Sequence, residues 1–435
     1  MLFKDLSMID ENMQLRHHAY LGTIGDRIAY IGPSMPEDPE RFGPAYAEPR
    51  NKLLIPAFVN AHTHMPMYLL RGYAENRALS DWLNKVIFPF EAKLNAGDVY
   101  AATMLSAAEL LRFGCVSATE MYYFGDSLGQ AFMDSGLKGN ISLACVCFDD
   151  RSYGELPVCR ETLETYKNFH NAGSGRVKVD FALHAEYTST EKAARGLAET
   201  AAEKGARIQV HAAETAGETE GCRARRGGRS PVRYLADCGI FDVPATAAHC
   251  VYVDGEDMAI LKNKGVTVAA CPASNLKLAS GVCPAVKLSE AGVGVAIGTD
   301  SAASNNKLDM QSEMRLFSLV HKGFSGDPTA VTPAQALYAA TRAGALAQGR
   351  EDCGLLKEGF KADIAVFDVD QVYMRPQHHL LNNLVYSACG GDVCMTMADG
   401  RVLYEKGRFA TIDVEKLTAL AERSCARIQS ELAGK

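Results

Sequence analysis

The feature of this sequence that most constrains its fold is a regular alternation of short apolar runs with helical patterns, which begins at Leu53. Alternation of this kind is typical of repeated βα units that form a parallel sheet. Eight strands are predicted, over residues 53–60, 116–121, 141–148, 177–184, 207–211, 245–249, 266–271 and 293–298. Eight strands within about 245 residues match the size of a (β/α)8 barrel. A doubly wound open sheet is the alternative, because periodicity does not show whether a sheet closes.

Helical patterns separate the predicted strands, and several of them end at a glycine that suits a helix C-cap. They cover residues 98–113, 190–204, 231–238 and 255–264. The two chain ends differ from this pattern. Short strands with a hairpin at Gly25-Asp26 and a proline-rich loop over 33–49 precede the barrel, while predicted strands 364–367 and 393–397 and a helix over 413–432 follow it. We therefore predict a division into residues 1–55, a barrel over 56–355, and residues 356–435.

Composition excludes several classes of function. The chain has 435 residues, with 45 Lys plus Arg against 52 Asp plus Glu and a net charge of −7, so nucleic acid is not a predicted partner. No apolar run of about 18 residues predicts a membrane span, and no signal peptide is visible. Thirteen scattered cysteines without a CxxC pair are typical of reduced thiols in the cytoplasm. A homo-oligomer is compatible with all of this.

Side chains suited to metal chemistry follow or end the predicted strands. These side chains are His62, His64, His184, His211, His249 and Asp300. His62 and His64 point to the same face of an extended chain, because they are two residues apart. Taken singly, a strand-end histidine is more often a hydrogen-bonded scaffold residue, and Asp300 is also explained as a turn residue. Their joint placement at the face where barrels build active sites favours a metal site.

Three histidines and one aspartate would hold one Zn²⁺ per chain, with Fe²⁺ or Mn²⁺ as the alternatives. Such an ion lowers the pKa of a bound water from 15.7 to about 7. Glu214 lies three residues after His211 and is placed to move protons if a helix begins there. The alternative for Glu214 is a solvated charge in the first turn of a helix.

Several segments around these positions resemble a known family. Residues 56–64, PAFVNAHTH, resemble the opening signature of the amidohydrolase superfamily. Residues 69–74, LLRGYA, and 81–83, DWL, are similar to its aminohydrolase and chlorohydrolase branch, which includes 5-methylthioadenosine/S-adenosylhomocysteine deaminases and triazine hydrolases. The further matches to the deaminases are HAAET (211–215), AAHC (247–250), PASNLKL (272–278), GTDSAASNN (298–306) and GFKADIAVFD (359–368).

This resemblance implies a TIM-type barrel with a small β-sandwich formed by both chain ends. It also implies the metal ligands, which are His62, His64, His211 and Asp300. Glu214 becomes the proton shuttle to the ring nitrogen of the substrate, and Asp300 accepts a proton from the attacking water. His249 is placed beside that water and the tetrahedral carbon, without ligating the metal.

The resemblance implies substrate contacts as well. Trp82 and Glu91 fall where the family holds a nucleoside, with Glu91 on the ribose hydroxyls, and His184 and Glu214 also lie near the substrate. Plain core packing is the alternative for Trp82. Two departures from the family pattern stand out. Glu186 replaces a usual proline, and residues 140–148 lack the arginine that holds the carboxylate of S-adenosylhomocysteine.

We therefore expect a hydrolytic deaminase of 5′-modified adenine nucleosides, which releases ammonia and the inosine analogue. The expected substrates are 5′-methylthioadenosine, 5′-deoxyadenosine and adenosine, with S-adenosylhomocysteine disfavoured unless Arg151 or Arg160 reaches its carboxylate. One alternative is an amino- or chlorohydrolase of another heteroaromatic ring, such as guanine, cytosine, a pterin or a triazine. Another is a non-catalytic scaffold, against which the full set of ligands and Glu214 argues.

Overall fold

The computed structural model describes residues 1–48, 50–73, 75–77 and 79–434; Ala74, the last residue of the LLRGYA segment, lies outside them. The strands of the described residues are β1 (Leu2–Ile9), β2 (Leu15–Ile24), β3 (Arg27–Gly32), β4 (Lys52–Pro56), β5 (Phe58–His64), β6 (Cys115–Tyr122), β7 (Lys138–Cys145), β8 (Val177–Val179), β9 (Phe181–Leu183), β10 (Ile208–Ala212), β11 (Ala245–His249), β12 (Thr267–Ala270), β13 (Gly294–Ile297), β14 (Asp300–Ser301), β15 (Ile364–Asp368), β16 (Val393–Ala398), β17 (Arg401–Glu405) and β18 (Arg408–Phe409).

Helices connect most of these strands. They are α1 (Leu79–Trp82), α2 (Phe88–Glu91), α3 (Ala96–Arg112), α4 (Gly125–Ser135), α5 (Pro157–Phe169), α6 (Ala172–Gly175), α7 (Glu191–Lys204), α8 (Ala216–Arg225), α9 (Pro231–Asp237), α10 (Gly255–Asn263), α11 (Pro272–Lys277), α12 (Ala285–Glu290), α13 (Met310–Ser325), α14 (Pro333–Ala340), α15 (Arg342–Ala347), α16 (Leu380–Tyr386) and α17 (Val414–Leu432). Among the described helices, none is long and apolar enough to cross a membrane.

The central sheet is parallel, in the order β13-β12-β11-β10-β9-β7-β6-β5-β14 with β8 beside β7. Two passes of the chain through this sheet are each interrupted, so that each consists of two short strands. Asp180 separates β8 from β9, and Gly298 with Thr299 separates β13 from β14. The nine strands on this path and β8 are therefore eight passes of the chain, as predicted.

The sheet closes on itself through the two halves of its last pass. β13 pairs with β12 and β14 pairs with β5, so the two edges of the sheet are consecutive pieces of chain. Asn60 bridges the break, because its Nδ2 donates to Thr299 Oγ1 at 2.7 Å and its Oδ1 accepts from the Thr299 backbone N–H at 3.0 Å. This arrangement confirms the (β/α)8 barrel and excludes the open sheet.

Both chain ends form a second sheet, in the order β18-β17-β16-β15-β4-β1-β2-β3. β4 enters it between β1 and β15, and two residues after β4 ends at Pro56 the chain begins the first barrel strand. Pro56 is the last residue of β4 and pairs with Ile364 at the start of β15. The predicted strand 53–60 is therefore two strands in two sheets, which an apolar run alone does not distinguish.

Apolar side chains fill two main regions. The larger cluster lies between the barrel strands and the surrounding helices, and a smaller one, with Phe3, Met8, Leu21 and Met395, lies within the second sheet. Most predicted boundaries agree within two residues, and 245–249 agrees at both ends. The predicted strand 141–148 is shifted, because β7 starts at Lys138, whose ammonium is buried against Asp363 and Asp399.

Candidate active site

The carboxyl ends of the barrel strands carry all the predicted metal-site residues. In a barrel these ends meet at one face, so residues distant in sequence become neighbours. Eight of the nine predicted site residues line one cleft of about 630 Å³, counted with its part open to solvent; they are His64, Trp82, Glu91, His184, His211, Glu214, His249 and Asp300. The ninth, His62, lies behind them, with its ring centroid 4.8 Å from that of His64.

Hydrogen bonds fix the protonation of two histidines. His64 Nδ1 donates to the Met121 carbonyl at 2.6 Å, and His211 Nδ1 donates to the His184 carbonyl at 2.7 Å. A carbonyl only accepts, so each Nδ1 carries a proton, and because burial lowers the pKa of both His64 and His211, the neutral rings leave Nε2 unprotonated. These two Nε2 atoms lie 3.2 Å apart. Lone pairs repel at this distance, whereas two nitrogens on one tetrahedral ion at 2.0–2.1 Å are separated by about 3.3 Å.

His62 and Asp300 extend this group of metal-binding atoms. His62 Nε2 is buried without a hydrogen-bond partner among the described residues. It lies 3.8 Å from Asp300 Oδ1, and His64 Nε2 lies 3.5 Å from the same oxygen. The other oxygen, Oδ2, accepts hydrogen bonds from Ser274 Oγ at 2.5 Å and Ser304 Oγ at 3.0 Å. These bonds orient the carboxylate and leave Oδ1 for a cation.

The electrostatics agree with this geometry. Burial lowers the pKa of His62 and His211 well below the ordinary value for histidine. Burial by itself would raise the pKa of Asp300, but the adjacent imidazoles of His64, His249 and His62 lower it to about 2. Neutral imidazoles and an ionised carboxylate are the forms that bind a divalent metal. The donor set therefore fits such an ion.

Glu214 reaches the cleft from a tight turn after β10. Ala213 adopts a positive φ of 51°, and the Glu218 carboxylate accepts the backbone N–H of Ala213 at 2.9 Å and of Glu214 at 2.7 Å. The side chain of Glu214 is held loosely, with Ser280 Oγ at 3.4 Å and His249 Nε2 at 3.9 Å. Burial raises its pKa, which favours a carboxyl that can carry a proton.

His249 stands between the acidic groups of the cleft. Its Nδ1 lies 2.8 Å from Asn275 Oδ1, and its backbone has a positive φ of 72° at the end of β11. Burial would lower its pKa, but the carboxylates of Glu214 and Asp300 outweigh burial and raise it. The imidazole is thus suited to carry a positive charge next to the metal-binding group.

The rest of the cleft is largely apolar and aromatic. Its walls include Met67, Leu79, Trp82, Leu83, Ile87, Phe88, Tyr122, Tyr123, Tyr187 and Leu278. Trp82 is 5% exposed, so it both packs in the core and lines the cleft. Burial raises the pKa of Glu91, at one side of the cleft, to about 7. A flat ring with a polar sugar fits such a lining.

No arginine is among the described residues that line the cleft. The Arg151 guanidinium contacts the Asp149 carboxylate at 2.8 Å, and both side chains are about half exposed. Arg160 lies exposed on α5. The structure therefore does not bring either arginine to the site.

Several residues of the site escape prediction from the sequence. Glu218, Ser274 and Ser304 act on predicted residues through hydrogen bonds, and Tyr122 and Tyr187 line the cleft. Two of these residues carry a local signal, because Glu218 lies four residues after Glu214 and Ser304 lies four residues after Asp300, a spacing at which a side chain can reach back across one turn.

Three comparisons place this geometry among known proteins. The amidohydrolase family profile matches residues 53–403. A 5-methylthioadenosine/S-adenosylhomocysteine deaminase of Dictyoglomus thermophilum is 41% identical over 86% of this chain and 87% of its own length. A 5′-deoxyadenosine deaminase of Methanosarcina mazei is 37% identical over 88% of each chain. The crystal structure of a zinc-bound adenosine deaminase from Xanthomonas campestris superposes with a TM-score of 0.91, 30% identity and coverage of 99% and 98%.

Proposed function

This chain belongs to the amidohydrolase family, and from that premise we propose that it is a metal-dependent hydrolytic deaminase of 5′-modified adenine nucleosides. The observation that carries the proposal is the convergence, in one cleft, of unprotonated imidazole nitrogens, the Asp300 carboxylate and a buried Glu214. The names of the relatives, deaminases of 5-methylthioadenosine/S-adenosylhomocysteine and of 5′-deoxyadenosine, support the same substrate class.

We propose that one Zn²⁺ binds per chain, with Fe²⁺ or Mn²⁺ as alternatives, and that four residues ligate it. The four are His62, His64, His211 and Asp300. When bound, the metal would supply Lewis acidity and a water that ionises near neutral pH. The Nδ1 hydrogen bonds of His64 and His211 fix their rings in the tautomer that ligates through Nε2.

The proposed proton movements use residues of the chain alone. Asp300 takes a proton from the attacking water, because its ionised carboxylate lines the cleft and is oriented there by Ser274 and Ser304. Glu214 donates a proton to the ring nitrogen next to the carbon that is attacked. The proton that Asp300 took from the water then passes to the exocyclic amino group, which leaves as ammonia, and the hydroxyl on the tetrahedral carbon returns a proton to Glu214 as the carbonyl forms. His249, charged between the two carboxylates, stabilises negative charge on the attacking oxygen as the tetrahedral carbon forms.

Substrate recognition divides between the purine and the sugar. Trp82 and the other aromatic walls enclose the ring, and His184 lies beside it. Glu91 accepts hydrogen bonds from the two ribose hydroxyls, because a desolvated carboxylate gains most from a pair of donors. The apolar surroundings suit a small 5′ group such as methylthio or hydrogen.

A screen for ammonia release tests the proposal. The zinc-loaded protein is assayed with adenosine, 5′-deoxyadenosine, 5′-methylthioadenosine and S-adenosylhomocysteine, and with guanine, cytosine, a pterin and a triazine as the competing ring classes. We expect turnover of the nucleosides only, its loss on removal of metal by a chelator, and its return with Zn²⁺. Release of ammonia from a free base alone would favour the amino- or chlorohydrolase alternative, and metal binding without any turnover would favour a scaffold.

We also propose that the chain divides into domains over residues 1–55, 56–355 and 356–435, and that it forms a homo-oligomer. A cytoplasmic location is proposed because all thirteen cysteines are free thiols and ten of them are buried.

A further inference from the structure

The turn that follows β9 carries one residue of the cleft and a hydrogen-bond partner of another. It is a short 3₁₀ turn, Glu186–Thr188, that begins two residues after His184. Tyr187 lines the cleft, and Thr188 Oγ1 lies 2.9 Å from His184 Nδ1. The turn has no side-chain hydrogen bond at its N-cap, Ala185. Its local side-chain bonds come from Thr188 and Ser189, whose hydroxyls donate to the Ala185 carbonyl at 3.3 Å and 2.9 Å, so these bonds stay within residues 185–189.

The buried carboxylate of Glu186 links this turn to the next βα unit, which consists of β10 and α8. The Glu186 side chain has no exposed surface, and each of its oxygens meets a different arginine. Arg225 Nη2 contacts Oε2 at 2.5 Å, and Arg226 Nε contacts Oε1 at 2.8 Å. Both arginines stand where α8 ends, and α8 begins directly after Glu214 and Thr215.

Arg226 is itself fixed from two other sides. Its guanidinium stacks on the Tyr234 ring at 4.3 Å from the centroid, and its Nη2 donates to the Ser189 carbonyl at 3.1 Å. A planar guanidinium held in this way loses little freedom when it binds a carboxylate. The contact therefore joins the turn to a rigid element.

The turn also influences the candidate metal-binding group through its backbone. The His184 carbonyl accepts both the backbone N–H of His211, at 3.1 Å, and its Nδ1–H, at 2.7 Å. A displacement of this turn would therefore change the positions of the His184 ring and of Tyr187, and to a smaller extent that of His211. The displacement of His211 is limited because β10, which carries it, pairs directly with β9.

We infer that Glu186, clamped by Arg225 and Arg226, is a positioning residue that fixes His184 and Tyr187 for substrate binding. The inference rests on the proposed function, since it assigns Glu186 to the substrate side of the same cleft. Glu186 does not touch the substrate and acts only through the turn. Its loss should therefore weaken binding of the nucleoside more than it slows the chemical step.

The first test is Glu186→Gln, which keeps the shape of the side chain and removes its charge. We expect KM for the best nucleoside to rise by about fivefold or more, with kcat within about threefold and metal content unchanged, since misplaced positioning groups reduce productive binding. Arg225→Gln should move KM in the same direction by a smaller factor, and this half-exposed side chain does not threaten the fold. Combining the two changes should give less than the product of their single effects.

Glu186→Pro tests whether Glu186 acts by restraining the turn or by stabilising the fold as a whole. Proline is compatible with this place, because Ala185 is extended at φ −162° and ψ 172°, and no described hydrogen bond uses the Glu186 backbone N–H. Since proline fixes φ, it should return KM to within about twofold of the wild type although it removes the ion pair. Arg223→Gln is the matched control on the same helix; its exposed contact with Asp254 at 3.2 Å should leave KM unchanged.

Hydrogen exchange of residues 184–189 provides a readout that does not depend on turnover. Faster exchange in Glu186→Gln and wild-type exchange in Glu186→Pro are expected. If no nucleoside is deaminated by the wild type, the proposed function fails while exchange still tests the clamp. An unchanged KM and unchanged exchange in Glu186→Gln, or a fall in kcat alone, would overturn the inference.

Discussion

Two histidine nitrogens that face each other without a proton between them are the most specific local feature of this protein. His64 and His211 come from strands 147 residues apart in sequence, and each donates its Nδ1 proton to a backbone carbonyl. A cation bound by both nitrogens would replace the repulsion between their lone pairs with two attractive contacts.

His211→Ala tests the ligand assignment directly. Removal of one of four ligands should reduce bound metal from about one ion per chain to well below that value, and abolish deamination. Metal analysis of the purified variant after dialysis is the measurement. His321→Ala is a suitable control, because that buried imidazole bonds only the Phe317 and Cys283 carbonyls. Unchanged metal content and activity in His211→Ala would refute the assignment.

Glu214→Gln tests the proton shuttle. An amide has nearly the same shape as the carboxyl, so metal content and substrate affinity should survive while kcat falls by about 10²–10⁴-fold. Steady-state kinetics with a direct binding measurement separate the two effects. A variant with kcat within twofold of the wild type would show that another group carries the proton.

The 5′ preference is also decided by single residues. S-Adenosylhomocysteine brings a carboxylate that must be hydrated or paired, and no described arginine lines the cleft. Since a charged hydrogen bond contributes about 1.5–3 kcal/mol, we expect its kcat/KM to be about 10–150-fold below that of 5′-methylthioadenosine.

Side-by-side kinetics of the two nucleosides decide the question, with Arg151→Ala and Arg160→Ala as controls. Neither control should change the ratio, because Arg151 pairs with Asp149 and Arg160 is exposed on α5. Equal or better turnover of S-adenosylhomocysteine, lost in one of these variants, would identify that arginine as the carboxylate partner.

At the scale of elements, the chain between β13 and β14 lies very close to β5, the first barrel strand. A Cβ added at Gly298 would lie 2.9 Å from the Cβ, the backbone N and the backbone O of His62. Only glycine, which has no Cβ, allows the chain at residue 298 to lie this close to β5. Closure of the barrel and the position of a candidate ligand therefore depend on the same contact.

Gly298→Ala should displace His62. Overpacking of this kind costs about 1–3 kcal/mol, so metal affinity should fall by about tenfold or more while the helical content persists. Competition with a chelator measures the affinity, and circular dichroism checks the fold. Gly294→Ala, in the same strand, is the matched control, because its Cβ would meet nothing nearer than Thr267 Oγ1 at 3.5 Å. Equal affinities of the two variants would contradict the argument.

At the scale of the whole molecule, buried charges join the barrel to the second sheet. Lys138 begins β7 at 3% exposure, and its ammonium contacts the carboxylates of Asp363, just before β15, and Asp399, just after β16. Burial would lower the pKa of Lys138, but these two carboxylates raise it above the ordinary value. The two sheets are thus coupled by an ion cluster as well as by the chain.

Lys138→Met should destabilise this junction. It leaves Asp363 buried without its cation, which costs about 3–5 kcal/mol, while KM and metal content stay unchanged. Urea unfolding at fixed zinc concentration measures the loss. Because the pKa of Lys138 is raised in the folded state, the wild-type contribution should be complete below about pH 10 and should decline above it. Lys264→Met, which removes an exposed pair with Asp242, is the control and should cost under about 1 kcal/mol. A loss equal to that of the control would show that the junction depends on apolar packing.

Much of this architecture follows from local sequence. The period of the apolar runs predicts the eight barrel strands, and the glycines after α7 and α10 agree with left-handed φ values at Gly205 and Gly265. The same periodicity places the HxH pair, His211 and His249 at or next to the ends of strands, so these candidate ligands can be found from the sequence. Strand periodicity and chain position alone decide which face and which end of the barrel these side chains occupy.

Other properties depend on contacts between segments that are distant in the sequence. The closure through Asn60 and Thr299 joins residues 239 apart, and the division of 53–60 between two sheets depends on β15, which lies about 300 residues away. The tautomers of His64 and His211, and the clamp on Glu186, depend on carbonyls and guanidiniums supplied by other βα units. The local sequence pattern shows how polar and apolar residues alternate within one segment. A hydrogen bond or an ion pair depends in addition on a second residue from another segment. That partner is fixed by the tertiary structure.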